Sequence, residues 1–122
     1  MHGLDPAIAQ HLVATARNAT ESVAFAFLDQ AGAMIGALFI PSTRVASVEV
    51  PLRTVVMKAL TLDAYQVVMA HNHPSGDPEP SSEDLTATRR IATVLSALGI
   101  RLVDHLVLTP EQAVSLRARG YL

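Results

Sequence analysis

Apolar and polar positions alternate along this chain at two spacings, which predict helices and strands in mixed order. An apolar stripe at helical spacing follows Asp5-Pro6 and ends near Asn18, and it predicts an N-terminal helix within residues 1–19. Val23 to Leu28 and Ala33 to Ile40 are apolar runs of strand length on either side of a short turn that contains glycine. We therefore expect a β-hairpin directly after the first helix.

Helices and strands also alternate in the rest of the chain. After a looser stretch from Arg44 to Glu49, the predicted elements are a helix from Pro51, a buried strand from Gln66 to Ala70, a helix from Ser82 to Leu98 stopped by Gly99, and a strand from Leu102 to Leu108. In the helix from Pro51, the positions expected to face inward are Leu52, Val55, Val56, Ala59 and Leu60. The pattern of the tail fits both strand and helix. This order predicts an α/β fold in which a mixed β-sheet is flanked by helices on both faces.

Composition favours one compact domain over residues 1–122. The chain has 122 residues, of which 50% are hydrophobic, and this is enough to bury a core of its own. The longest apolar run, Ala31 to Pro41, is too short to span a bilayer. The absence of cysteine excludes disulfides and thiolate zinc sites, and it fits a cytoplasmic location.

Charge argues against a nucleic-acid partner. The net charge is −2, whereas duplex-binding domains carry a basic footprint. Two small basic clusters, Arg89-Arg90 and Arg117 with Arg119, are expected on solvated faces. The tripeptide His71-Asn72-His73 does not indicate an HNH nuclease, because the residues that give that class its name are dispersed along a folded finger.

The spacing of His71 and His73 indicates a metal site. In extended chain, alternate side chains point the same way, so both imidazoles can face one ion while Asn72 faces away. Prolines and glycine from Pro74 to Pro80 then break regular structure, which lets the chain turn before the next helix. That turn can bring Asp84 beside the two histidines.

Ser81 and Asp84 also have a simpler interpretation. A serine followed three residues later by an acidic residue is typical of a helix N-cap, and most such pairs do nothing else. A single histidine is likewise more often a hydrogen-bonded polar residue than a ligand. The combination favours metal, since His71, His73 and Asp84 would leave the fourth tetrahedral position of a zinc ion open for chemistry. Such a ligand set also accepts other divalent ions.

These motifs resemble those of a known family. His-x-His, seven residues, Ser, two residues and Asp is the pattern of the JAB1/MPN metalloprotease domain, also called JAMM, and the version from His71 to Ser81 is similar to its bacterial RadC branch. The segments from Glu21 to Asp29, from Gly99 to His105 and from Ser115 to Leu122 also resemble RadC. Full-length RadC proteins carry a helical region ahead of this domain, and we expect it to be absent here.

The resemblance implies a fold and a mechanism. The fold would be that of JAB1/MPN domains, which is cytidine-deaminase-like, with Zn²⁺ on the two histidines and Asp84. A true zinc deaminase is excluded because its Pro-Cys-x-x-Cys element is missing. The family's general base maps onto Glu21, which sequence alone would hardly prefer to Glu49 or Glu83, and Ser81 would stabilise the oxyanion or hold the water. The substrate would be a peptide or an isopeptide-linked protein.

The sequence leaves open two alternative functions and the role of Asp104-His105. A non-catalytic MPN-type interaction module is one alternative, although inactive versions typically lose ligands and this chain keeps the set. A DNA-repair or recombination role, suggested by the RadC name, is the other. Asp104-His105 fits either a structural histidine, which we favour, or a pair that supports the metal ligands from behind.

Overall fold

A computed structural model describes residues 6–41 and 51–122. Within them the chain forms three helices and five strands: α1 (Pro6–Ala16), β1 (Ser22–Leu28), β2 (Met34–Pro41), α2 (Leu52–Thr61), β3 (Gln66–Asn72), α3 (Ser82–Ala97), β4 (Arg101–Leu108) and β5 (Ala113–Ser115). The predicted cap at Asp5, the stretch from Arg44 to Glu49 and the alternative base Glu49 lie outside the described residues.

All five strands form one mixed sheet in the order β2-β1-β3-β4-β5. β1 pairs antiparallel with β2 and β3, β3 pairs parallel with β4, and β4 pairs antiparallel with β5. A parallel pair needs a crossover connection, and α3 supplies it between β3 and β4. The central position of β3 places its carboxyl end between the start of β1 and the end of β4.

Helices cover both faces of the sheet. Every residue of β1 is buried, because its alternate side chains enter two separate cores. Val23, Phe25 and Phe27 pack with residues of α2 and α3, whereas Ala26 and Leu28 pack with residues of α1. The predicted α/β fold with a mixed sheet flanked on both faces is therefore confirmed. Among the described residues, no helix is long and apolar enough to cross a membrane.

The inward face of α2 is narrower than predicted. Val55 and Ala59 are fully buried and Leu52 and Val56 pack partly against the core, but Leu60 is 54% exposed. The prediction that Leu60 faces inward was therefore wrong. Positions four apart lie on one helix face, so Ala59 continues the stripe from Val55, and Leu60 is turned by about 100° away from it.

Two further boundaries differ from the predictions. β3 extends to Asn72, two residues beyond the predicted end, so His71 belongs to the strand itself. The tail forms the short strand β5 and then hydrogen-bonded turns that end at Gly120, which has φ +85°. α3 ends as predicted at a C-cap, Leu98, followed by Gly99 in the left-handed region with φ +75°.

Candidate metal centre

The carboxyl end of β3 presents two imidazoles to one point. His71 is paired with Val23 of β1 and with Val107 of β4, and His73 continues the pairing through a 2.7 Å hydrogen bond from its N–H to the Leu108 carbonyl. The ring centroids of His71 and His73 are 4.6 Å apart. The two rings therefore lie on the same side of the chain, two residues apart, as the spacing predicted.

A tight turn fixes the second ring. The Gly76 N–H donates to the His73 carbonyl at 3.1 Å, and Gly76 has φ +89°, which favours glycine over other residues. Nδ1 of His73 lies 2.9 Å from the carbonyl oxygen of Asp77. A carbonyl only accepts, so Nδ1 carries the hydrogen and Nε2 of a neutral His73 offers its lone pair.

One carboxylate oxygen of Asp84, Oδ2, both completes the capping box of α3 and faces the two histidines. The Ser81 hydroxyl accepts the Asp84 N–H at 3.0 Å, and Asp84 Oδ2 accepts the Ser81 N–H at 2.8 Å, which completes a capping box. Oδ2 also lies 3.3 Å from Nε2 of His71 and 3.4 Å from Nε2 of His73. One carboxylate can therefore serve both the capping box and a metal ion, and the two interpretations of this pair do not exclude each other.

The three ligand atoms fit a metal ion. Tetrahedral zinc with bonds of about 2.0–2.1 Å places its ligands about 3.3 Å apart, and both separations from Asp84 match this value. The two Nε2 atoms are 2.7 Å apart, closer than two ligands of tetrahedral zinc, so the histidine rings would separate by about 0.6 Å to bind it. His71, His73 and Asp84 are thus suited to hold a divalent cation.

The charges in the site reinforce one another. Burial acts to raise the pKa of the Asp84 carboxyl, but the contacts with His71 and His73 outweigh it and hold that pKa well below its usual range. The contact with Asp84 in turn raises the pKa of His73, against the effect of burial. Asp84 is therefore an ionised carboxylate at neutral pH.

Glu21 lies beside this centre, immediately before β1. A cleft of about 560 Å³ is lined by Glu21, His71, His73, Ser81 and Asp84 together. Burial raises the pKa of the Glu21 carboxyl, and the neighbouring His73 and His71 partly oppose that shift. The fold therefore brings all five predicted site residues into one cleft, and their roles remain predictions.

Two residues around the ligands have partners that sequence analysis did not predict. Asn72, fully buried between the two histidines, accepts hydrogen bonds from the N–H and the hydroxyl of Ser22 and donates to the carbonyls of Asn18 and Thr20. This anchors the segment that carries Glu21 directly to the strand that carries the candidate ligands.

The second is His105, which is 1% exposed and lies with Nε2 2.6 Å from Nδ1 of His71. Burial, together with the nearby His71, lowers the pKa of His105 to about 3, so its ring is neutral. It is a hydrogen-bonded buried histidine as we expected, but its partner is a candidate ligand. Asp104 instead accepts hydrogen bonds from the Ser115 hydroxyl and the Arg117 N–H. His105 therefore contacts the candidate site, whereas Asp104 holds the tail of the chain.

Comparison with known proteins agrees with this geometry. The chain is similar to UPF0758 proteins of Ruegeria pomeroyi (39% identical over 107 residues, 88% of this chain and 48% of the relative) and Rhodobacter capsulatus (41% over 109 residues, 89% and 51%). It is also similar to one of Methanospirillum hungatei (50% over 70 residues, 57% and 31%). The matched segments thus span about half or less of these relatives' lengths. A family model described as a RadC-like JAB domain matches residues 5–121. The chain therefore belongs to the family of RadC-like JAB domains.

Proposed function

We propose that this domain is a zinc-dependent hydrolase that cleaves an amide bond in a peptide or an isopeptide-linked protein. The observation that carries the proposal is the position of Glu21 in the same cleft as the three candidate ligands. When bound, zinc supplies Lewis-acid chemistry: it polarises a carbonyl oxygen and makes water a nucleophile near pH 7.

Glu21 is proposed as the general base. Its carboxylate would take a proton from the attacking water as the oxygen bonds to the carbonyl carbon. It would then return that proton to the amine nitrogen as the carbon–nitrogen bond breaks. Partial burial supports this role, because a carboxylate whose pKa is raised is a stronger base and takes a proton from water more readily.

Ser81 is proposed to stabilise the negative charge that develops on the carbonyl oxygen. Its oxygen already accepts the Asp84 N–H, which leaves the hydroxyl hydrogen available for donation into the cleft. A fixed donor of this kind is typically worth a factor of about 10²–10³ in rate. The substrate and the cytoplasmic location remain part of the proposal.

A cleavage screen with matched variants tests this function. Zinc-loaded protein is incubated with a library of fluorogenic peptides and isopeptides, beside Glu21→Gln and Glu83→Gln. Glu83 is an exposed carboxylate that lines the same cleft, which makes it a matched control. We expect Glu21→Gln to retain zinc and to lose about 10²–10⁴-fold in rate, and Glu83→Gln to retain its rate.

Two outcomes would contradict the proposal. Undiminished cleavage by Glu21→Gln would place the base elsewhere. Zinc binding without cleavage of any substrate in the library would favour the non-catalytic interaction module.

A further inference from the structure

A chain of hydrogen bonds leads from the metal-binding strand into the protein. Nε2 of His71 faces Asp84, while Nδ1 lies 2.6 Å from Nε2 of His105 on β4. Nδ1 of His105 contacts the hydroxyl of Thr88 on α3, and that hydroxyl donates to the Asp84 carbonyl at 2.7 Å. His105 and Thr88 are each 1% exposed, so water does not compete for these contacts.

The direction of each hydrogen bond follows from the one before it. The carbonyl of Asp84 can only accept, so the single hydroxyl hydrogen of Thr88 points to it and the Thr88 oxygen accepts the N–H at Nδ1 of His105. When His105 carries its single ring hydrogen on Nδ1, it has a lone pair on Nε2. That lone pair accepts the N–H at Nδ1 of His71, which leaves Nε2 of His71 unprotonated.

We propose that His105 and Thr88 are positioning residues that hold His71 in the tautomer with its hydrogen on Nδ1, the form whose Nε2 binds a metal ion. The series of hydrogen bonds runs from the Asp84 carbonyl, which can only accept, to Nε2 of His71, which must carry no hydrogen if it is to bind a metal ion. It also joins three elements, because His71 lies on β3, His105 on β4, and Thr88 with Asp84 four residues apart on α3.

The reverse direction of the chain would disable the site. If the Thr88 hydroxyl donated to Nδ1 of His105, the ring hydrogen of His105 would lie on its Nε2. His105 would then donate to Nδ1 of His71, and the ring hydrogen of His71 would lie on Nε2. This hydrogen would point at Asp84 and His73, where the cation belongs. Thr88 therefore selects between the two directions through its bond to the Asp84 carbonyl, and a residue without a hydroxyl at position 88 removes that selection.

A zinc titration with matched variants tests the proposal. Zinc affinity is measured by competition with a chromophoric chelator for the wild type, Thr88→Val and Thr88→Ser. Valine keeps the shape of threonine without the hydroxyl, and serine keeps the hydroxyl without the methyl group. We expect Thr88→Val to lose about 10- to 100-fold in affinity, and Thr88→Ser to stay within about threefold of the wild type. A purely structural role of Thr88 predicts the opposite order, because the loss of the buried methyl group would be the damaging change.

Substitution of His105 gives a second measurement. His105→Leu removes the acceptor for the N–H at Nδ1 of His71 and should lose about 10- to 100-fold in affinity, whereas His105→Gln offers an amide oxygen and should recover part of it. In the zinc-loaded wild type, ¹⁵N NMR should show the hydrogen on Nδ1 of His71. A hydrogen on Nε2, or zinc affinity unchanged in both Thr88→Val and His105→Leu, would overturn the proposal.

The proposal rests on the proposed function through the metal site alone, and the two can fail separately. If the variants lose affinity as expected but no peptide is cleaved, the role of His105 and Thr88 stands and the hydrolase fails. If the wild type binds no zinc, both are contradicted.

Discussion

Asn72 Oδ1 accepts two hydrogen bonds from Ser22, from its N–H at 2.7 Å and from its hydroxyl at 2.9 Å. The two residues are 50 positions apart, and both are buried. Asn72 stands between the two candidate ligands and Ser22 directly follows the candidate base, so this contact holds the segment of Glu21 against the strand that carries the candidate ligands. The middle residue of the His-x-His motif therefore helps to build the candidate site although its side chain points away from the two imidazoles.

Replacement of Asn72 should destabilise the fold. Asn72→Ala would leave the buried Ser22 N–H and the partly buried carbonyls of Asn18 and Thr20 without their partner, at a cost on the order of 2–4 kcal/mol in the free energy of unfolding. Urea denaturation measures this. Thr20→Ala is the matched control, because the Thr20 side chain is exposed and only its carbonyl contacts Asn72, so its effect should stay within about 0.5 kcal/mol. Equal stability of the two variants would show that the contact holds nothing in place.

Ser81 allows its capping and catalytic roles to be separated. Threonine and glycine are comparable helix N-caps, each slightly weaker than serine, but only threonine keeps a hydroxyl. Ser81→Thr and Ser81→Gly should therefore unfold at similar urea concentrations. If the hydroxyl stabilises the oxyanion, the cleavage rate of Ser81→Gly should be lower than that of Ser81→Thr by about 10²–10³-fold. Equal rates would reduce Ser81 to a helix cap.

The two arginines of the tail should differ in their effect on stability. Arg117 donates through Nε to the Val103 carbonyl and through Nη2 to the Leu102 carbonyl at 2.9 Å, whereas Arg119 forms an exposed ion pair with Glu79. Arg117→Ala should cost about 1.5–3 kcal/mol in the free energy of unfolding, and Arg119→Ala at most about 1 kcal/mol. Thermal or urea unfolding of the two variants provides the comparison, and a larger loss in Arg119→Ala would contradict the contacts described.

Zinc should stabilise the folded chain through the candidate ligands. A ligand that binds only the native state at 100 times its dissociation constant adds about 2.7 kcal/mol to the free energy of unfolding. We expect a gain of this size for the wild type and for Glu21→Gln, and none for His73→Ala. A similar gain in His73→Ala would mean that the metal binds elsewhere.

The parts of the site that follow local rules could be predicted from the sequence. His71 and His73 face one point because strands alternate, and Asp84 meets them because a capping box fixes the first turn of α3. Both rules act within a few residues of chain. Glu21 follows no such rule, and its position came from the family resemblance alone.

Contacts between distant segments could not be predicted. β3 extends to Asn72, which pairs with Leu108, and Ser22 satisfies the buried side-chain oxygen of Asn72, but nothing within five residues of Asn72 indicates that partner. Arg117 was expected on a solvated face. Its partners arise because the pairing of β3 with β4 skips Val103 at a bulge, which leaves carbonyls at the start of β4 open to a side chain from the tail.

The spacing of Asp84 and Thr88 by four residues could have suggested a link within α3, but not that His105 completes it.

Metal content decides whether His71, His73 and Asp84 hold an ion. The purified chain is loaded with zinc and freed of loosely bound ions by gel filtration. Its zinc content is then measured by inductively coupled plasma mass spectrometry, beside His73→Ala and Glu21→Gln. We expect about one zinc per chain in the wild type and in Glu21→Gln, and none in His73→Ala. A wild type without zinc, or His73→Ala with a full complement, would contradict this expectation.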